Sequence, residues 1–360
     1  MLTIGLSVLT VLSGLAGVHA ETPPAELRIG LPSQVSSSGK PELGTATGYI
    51  DRFVQADFAG GPTKIVWVPV PGGGPGVNEA LGGKQIDFAY YGDFPATVGR
   101  AGNLTTKLIL GGRRGLNSYL LVPVGSTATS IKDLKGKRIA VNKGRPWTFA
   151  FAKLLATNGL KESDFQIFNL SPGDGAAALI SGNIDALYQP EPFGLSMEEK
   201  KQARVIWSTR DLPLGWKFTL DLFVVDKFAE QYPETTQKLV TAFVKAAQFA
   251  SLQEHRDELL HSFVTAGVTY EMLAKEMENE PLREIMVPLV DDFTRAHYLE
   301  IMNFMKDQKM IRKSFAIEEF IDPRFASAAF KSLGLENYWP AANADGKPIS
   351  AASTPATASR

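Results

Sequence analysis

The sequence predicts an α/β protein built as two similar lobes with a ligand cleft between them. Three observations predict it. Strand and helix signals alternate over the first half of the chain, which favours largely parallel sheets. A block beginning at Pro75 recurs at Gly173. Two junctions between a strand and a helix are glycine-rich, at the place where open α/β sheets bind ligands.

The elements follow in order. "ELRIGLP" (26–32) and "KIVWVPVP" (64–71) read as buried strands, and "GYIDRFVQADF" (48–58) as the helix between them. "NSYLLVPVG" (117–125), "KRIAV" (137–141) and "FQIFNLS" (165–171) read as further strands. "WTFAFAKLLATNG" (147–159) reads as a helix that starts behind Pro146 and stops at Gly159. From Pro233 the pattern changes to long amphipathic helices, "PETTQKLVTAFVKAAQFASL" and "DDFTRAHYLEIMNFMKDQ". The small, polar C-terminal residues, 337–360, read as a disordered tail.

The recurrence is an internal repeat. "PGVNEALGGKQIDFAYYGDFP" and "GDGAAALISGNIDALYQPEPF" align at one constant offset. Ala80-Leu81 falls on Ala178-Leu179, Ile86-Asp87 on Ile184-Asp185, Tyr90 on Tyr188, and Asp93 on Glu191. Each copy reads as a short helix, a cap, a strand, and then an acidic residue near a proline. Two α/β units of this kind most simply enclose a cleft.

Composition excludes several function classes. The chain has 360 residues, 44% of them hydrophobic, and a net charge of -1. That is ample for two cores and gives no footprint for nucleic acid. The absence of cysteine removes disulfides, thiolate nucleophiles, Cys-ligated zinc and a lipidated N-terminal cysteine. Residues 1–20 read as a signal peptide: an apolar run, then Val18-His19-Ala20 as the cleavage site before Glu21. The alternative, a membrane anchor, needs a longer run. The mature chain is therefore expected in the periplasm, without metal or cofactor.

The glycine turns carry the chemistry. In "VPVPGGGPGVNEAL", Gly74 and Pro75 open a helix whose free N–H groups favour an anion. "VNKGRPWTF" repeats the arrangement, with Gly144 ahead of the helix start and Arg145 adding a planar cationic fork. Either could also be an ordinary turn, with Arg145 pointing into solvent. Tyr91 and Trp147 stand nearest these turns and are the expected ligand walls. Asp93 and Glu191 are expected to stabilise their turns or to accept from a ligand donor. "PGDGAAAL" contains G-x-G-x-x-A but lacks the acidic residue a dinucleotide site needs further on. No G-x-S-x-G or H-E-x-x-H motif points to an enzyme.

These motifs together resemble the periplasmic substrate-binding proteins of the nitrate/sulfonate/taurine group of ABC importers, above all aliphatic-sulfonate-binding proteins. The resemblance rests on "LRIG" (27–30), "GPGVNEALGGKQIDFAYYGDFPATV" (74–98), "IKDLKGKRIAVNKG" (131–144), "LSPGDGAAALISGNIDAL" (170–187) and "FIDPRFASAAFKSLGL" (320–335). It implies a type II periplasmic binding fold. Lobe I would hold residues 25–122 and 218–336, and lobe II residues 123–217, with crossings near Val122–Ser126 and Pro213–Lys217. It implies ligand contacts at Ser33 and Gln34, at Gly74 and Pro75, at Tyr91, Gly92 and Asp93, at Gly144, Arg145, Trp147 and Thr148, and at Glu191 and Phe193. The implied protein is a monomer that captures a small organic anion and passes it to a membrane permease.

Three positions depart from the family pattern. Pro32 stands where sulfonate binders carry Gln, Tyr91 where they carry a small hydroxyl residue, and Arg145-Pro146-Trp147 where they carry serines. The scaffold expectation is unaffected. The ligand expectation widens to a larger or aromatic sulfonate, an aromatic carboxylate, a sulfate ester or nitrate. An enzyme on the same fold and a sensor ectodomain are the competing classes.

Overall fold

The computed structural model describes residues 21–32, 34–35, 41–42, 47–265 and 267–349. The expected signal peptide, 1–20, and Ser33 lie outside the described residues.

The chain begins with β1 (Glu26–Pro32), then a minimal hairpin of β2 (Gln34–Val35) and β3 (Pro41–Glu42). There follow α1 (Thr47–Phe58), β4 (Lys64–Val70), α2 (Gly73–Gly82), β5 (Phe88–Gly92), α3 (Asp93–Ala101) and β6 (Thr106–Leu116). The second stretch holds β7 (Ser118–Val122), β8 (Arg138–Val141), α4 (Thr148–Thr157), β9 (Gln166–Phe168), α5 (Pro172–Ile180), β10 (Ala186–Pro190), α6 (Phe193–Glu199) and β11 (Arg204–Ser208). The chain returns through β12 (Phe218–Val225) to a helical run: α7 (Asp226–Gln231), α8 (Pro233–Ser251), α9 (Arg256–Ser262) and α10 (Tyr270–Glu276). It continues with α11 (Leu282–Ile285), α12 (Asp292–Asp307), α13 (Ile317–Phe320) and α14 (Arg324–Leu333).

Two five-stranded sheets result, ordered β4-β1-β5-β12-β6 and β11-β7-β10-β8-β9. They are mixed rather than largely parallel. β1 runs parallel to β4 and β5, and β8 parallel to β9 and β10. β12 and β7 are antiparallel to their neighbours. Each antiparallel strand is the one that has just arrived from the other sheet. Helices cover both sheets: along α8, Thr236, Leu239, Val240, Phe243 and Val244 are buried at three- and four-residue spacing.

The repeat is visible atom by atom. Arg28 of β1 grips Asp87 with its own N–H (3.0 Å), with Nε (3.0 Å) and with the terminal guanidinium (2.6 Å). Arg138 of β8 grips Asp185 in the same way at 2.9, 3.1 and 2.9 Å. Each arginine also donates to the residue that turns the preceding helix, to Lys84 O or Gly182 O. Both turning residues are left-handed, at φ 56 and φ 74.

Two expectations need correction. The crossing to the second sheet falls at Asn117, not near Val122–Ser126, because β7 pairs with β10 and β11. The apolar run through 122 hides this break. Asn117 is buried, its N–H donates to Glu191 Oε2 (2.7 Å), and Ser118 pairs with Thr209 on the returning chain. The second correction concerns the tail. Residues 337–349 are packed: Trp339 is buried against Phe330, and the Ala342 N–H donates to Asp291 (2.8 Å). Residues 350–360 lie outside the described residues.

A candidate anion-binding cleft

The two glycine-rich turns meet across the gap between the sheets. A Cβ on Gly73 would stand 2.0 Å from the Arg145 guanidinium, and one on Gly92 2.0 Å from Pro146 Cγ. One on Gly74 would stand 2.7 Å from Gly144 O. Only residues without a side chain permit this approach. Beside it, Phe149 of α4 packs with Phe94 of α3 and with Ile301, Met302 and Met305 of α12, so apolar contact also spans the two sheets.

Between these contacts lies a cavity of about 260 Å³. Its walls are mostly apolar and include Leu31, Pro32, Phe193, Phe218, Leu220 and Leu273. Three groups give it electrostatic character. Arg145 lines it, held by Nε donating to Asn142 Oδ1 (2.6 Å) and N–H donating to Thr148 Oγ1 (3.2 Å). Burial pulls the pKa of its guanidinium down from the ordinary value, and no carboxylate among the described residues offsets its charge. A guanidinium keeps its proton even so. Trp147 Nε1 and Arg113 Nε are also buried with no acceptor among the described residues, and both side chains line the cavity. Buried donors of this kind are costly unless something accepts from them.

On the side facing Asn117, Arg113 pairs with Glu191, whose other oxygen takes the Asn117 N–H. Behind them Glu276 of α10 accepts from Tyr119 OH (2.5 Å) and Asn117 Nδ2 (3.1 Å). Burial, and next the nearby Glu191 charge, push the Glu276 carboxyl up to about 7.

Six of the expected residues line the cavity: Gly74, Gly92, Arg145, Trp147, Glu191 and Phe193. Pro75 and Gly144 instead touch each other across the cleft. Gln34 sits in the short strand beyond β1, and the wall at that point is Pro32. Tyr91 is a correction. It is fully buried, its OH donates to Asn78 Oδ1 (3.0 Å), and its ring packs on Phe223. Side chains alternate along β5, so Tyr90 shares the cavity side with Gly92 and Tyr91 faces away.

Asp93 is also withdrawn from the cavity. Its carboxylate takes the N–H groups of Phe94 (2.6 Å) and Thr219 (3.0 Å) and bonds His297 Nε2 (2.7 Å). That is a turn-stabilising role. The Thr148 N–H already donates to Arg145 O (3.0 Å), so it is not available to an anion.

Sequence reasoning preferred Tyr91 to Tyr90 as the wall and missed Arg113, Phe218 and Leu220, together with Thr265, Val268 and Leu273. Arg113 lies in β6, whose "GGRRG" breaks strand alternation. There the chain needs close approach: a Cβ on Gly112 would stand 2.3 Å from Leu220 O.

Comparison with known proteins places this architecture. The family profile described as "NMT1/THI5 like" matches residues 69–255, more than half of the chain. A Bacillus subtilis protein named as an aliphatic sulfonates-binding protein is 29% identical over 325 residues, covering 89% of this chain and 92% of that one. A periplasmic sulfonate-binding protein of a sulfonate ABC transporter from Methylobacillus flagellatus KT superposes with a TM-score of 0.77 at 32% identity, over 88% of this chain and 97% of that one. The alkanesulfonate-binding protein of Xanthomonas axonopodis pv. citri, solved with MOPS bound, shares the fold at 22% identity and a TM-score of 0.66, over 85% of this chain and 100% of that one. The two-sheet architecture is thus the type II periplasmic binding fold, and the chain belongs to the NMT1/THI5-like family.

Proposed function

We propose that the protein is the solute-binding component of an ABC importer, capturing a small organic anion, a sulfonate, in the cleft between its two sheets. The observation that carries this reading is Arg145: a desolvated guanidinium in the cavity wall with no carboxylate partner among the described residues, next to Trp147 Nε1, which has no acceptor among them. A sulfonate keeps its charge across the whole biological pH range. Its oxygens can accept charge-assisted hydrogen bonds from Arg145 and a neutral one from Trp147.

Residues on the two sheets act as two lobes in this reading, one from β1 to β6 with the returning chain from β12 on, the other from β7 to β11. Asn117 and Thr209 mark the crossings, and closure about them buries the anion. Residues 1–20 are removed on export, and the mature monomer delivers its ligand to a permease at the inner membrane. The protein binds without converting its ligand. Support comes from relatives named as binding proteins and from the engaged state of Asp93, which leaves it no free oxygen for proton transfer.

The test is calorimetric titration of alkyl and aryl sulfonates against the wild type, Arg145→Ala and Arg145→Lys. Arg145→Ala is expected to lose about 2–5 kcal/mol of binding, the range for removing one partner of a buried charge pair. Arg145→Lys is expected to recover part of it, since an ammonium lacks the planar fork. Equal affinities in all three proteins would remove Arg145 from the site.

A further inference from the structure

We propose that the sulfonate this cleft selects carries an uncharged aromatic body, and that aminosulfonates such as taurine are rejected. The inference rests on the sulfonate reading above and specifies the part of the ligand that Arg145 does not hold.

The first argument is a charge account of the wall. An aminosulfonate brings an ammonium into the cavity, which must be paired there or stay in water. Among the described residues lining the cavity, Glu191 is the one carboxylate. Both of its oxygens are engaged, one by the Arg113 guanidinium and the other by the Asn117 N–H. Asp93 and Asp221 lie behind the wall and are committed as well: Asp93 to Thr219 and His297, Asp221 to the hydroxyls of Thr219 (2.6 Å) and Tyr298 (2.7 Å). The cationic groups of the wall, Arg113 and Arg145, would repel an ammonium further.

The second argument is the chemistry of the remaining wall. Trp147 and Phe218 stand together with ring centroids 5.8 Å apart at 57°, and both rings line the cavity. Phe193 lines it too, and Pro32, Pro190 and Pro192 add flat, rigid apolar faces. Aromatic surfaces set at an angle reward a ring with edge-to-face contact beyond plain area burial. A hydroxylated or very short body would leave these faces uncovered and forgo the apolar contribution.

The experiment is calorimetric titration of the mature protein with benzenesulfonate, hexanesulfonate, ethanesulfonate, taurine and benzoate, repeated on Phe218→Leu. Benzenesulfonate is expected to bind more tightly than hexanesulfonate, and about tenfold or more above ethanesulfonate. Taurine is expected to fall about a hundredfold below ethanesulfonate, because its ammonium finds no free carboxylate among the described residues of the wall. An unchanged thermal unfolding curve reports that Phe218→Leu is folded, and in it the preference for benzenesulfonate over ethanesulfonate should shrink. Taurine binding on a par with benzenesulfonate overturns the inference and leaves the sulfonate reading standing. So does hexanesulfonate matching benzenesulfonate. Benzoate matching benzenesulfonate, or no sulfonate binding at all, overturns the sulfonate reading and the inference with it.

Discussion

The two copies of the repeat agree at one end and part company at the other. At the start of each unit the strand arginine, the turning residue and the aspartate superimpose in role, bond for bond: Arg28, Lys84 and Asp87 in one, Arg138, Gly182 and Asp185 in the other. At the far end of the following strand the equivalence dissolves. Asp93 is buried and tied to His297, whereas its counterpart Glu191 faces the cavity and holds Arg113. Tyr90 lines the cavity, while Tyr188 is buried and bonded to Ser118 (2.7 Å). The shared end fastens helix to strand, a task both lobes need. The divergent end faces the cleft, where the lobes supply different walls to one ligand.

The largest test of this contrast is to break the shared clamp in each copy. Asp87 is the more deeply placed, with 12% of its side chain exposed against 34% for Asp185. Asp87→Ala is expected to cost about 2–3 kcal/mol in urea unfolding, since it strands a half-buried arginine and a strand N–H. Asp185→Ala should cost about 1 kcal/mol, near the level of exposed pairs. Equal losses would mean that burial does not set the worth of the clamp.

The next test sharpens the divergent end. Asp93 has an imidazole for a neighbour; Glu191 has another carboxylate, Glu276, whose pKa burial raises from the ordinary 4.5 to about 7. Between those values the folded protein holds a proton that the unfolded chain releases. Stability therefore falls as pH rises from about 4.5 to about 7, and the loss persists above that. Asp221, pushed by burial up to about 6, adds a slope of the same sign. Melting temperatures of Glu276→Gln between pH 4.5 and 8 should decline less than those of the wild type, with the variant gaining most at pH 8. Parallel curves would show that Glu276 does not titrate in this window.

The smallest effect concerns the turn. Lys84 holds at φ 56 a conformation that its counterpart Gly182 adopts without a Cβ. Lys84→Gly should gain about 0.5–1 kcal/mol, and Gly182→Ala should lose about 1 kcal/mol. A Lys84→Gly variant less stable than wild type would show that the lysine side chain contributes more than its backbone strain costs.

Much of this architecture was legible because the repeat fixed it. One offset aligned both aspartates and both helices, and the glycine turns marked where strands hand over to helices. The cleft was legible on the same ground: Arg145, Trp147, Glu191 and Phe193 all lie just beyond a strand end. What escaped had specific causes. A choice between Tyr90 and Tyr91 is a question of strand parity, and a slip of one residue reverses it. Arg113 sat in a strand disguised by two glycines. Thr265, Val268 and Leu273 reach the cavity from a helical region far along the chain, and local periodicity does not tell which helix will cover a cleft. The Asp93–His297 bond joins residues 204 positions apart.

The glycines at the meeting of the turns have a consequence for how binding strength can change. At Gly92 and Gly144 the backbone meets a proline ring, Pro146 and Pro75, with no flexible side chain between them, so these contacts have almost no give. A single methyl group at Gly92 would act as a wedge against Pro146, which stands between Arg145 and Trp147. Apparent affinity is the intrinsic affinity scaled by the fraction of molecules able to close. Under the proposed closure, substitution at Gly92 is therefore expected to change how readily the cleft shuts and, through Pro146, where Arg145 and Trp147 stand. The contact between the sheets and the cavity wall thus share one short stretch of chain, Gly144 to Trp147.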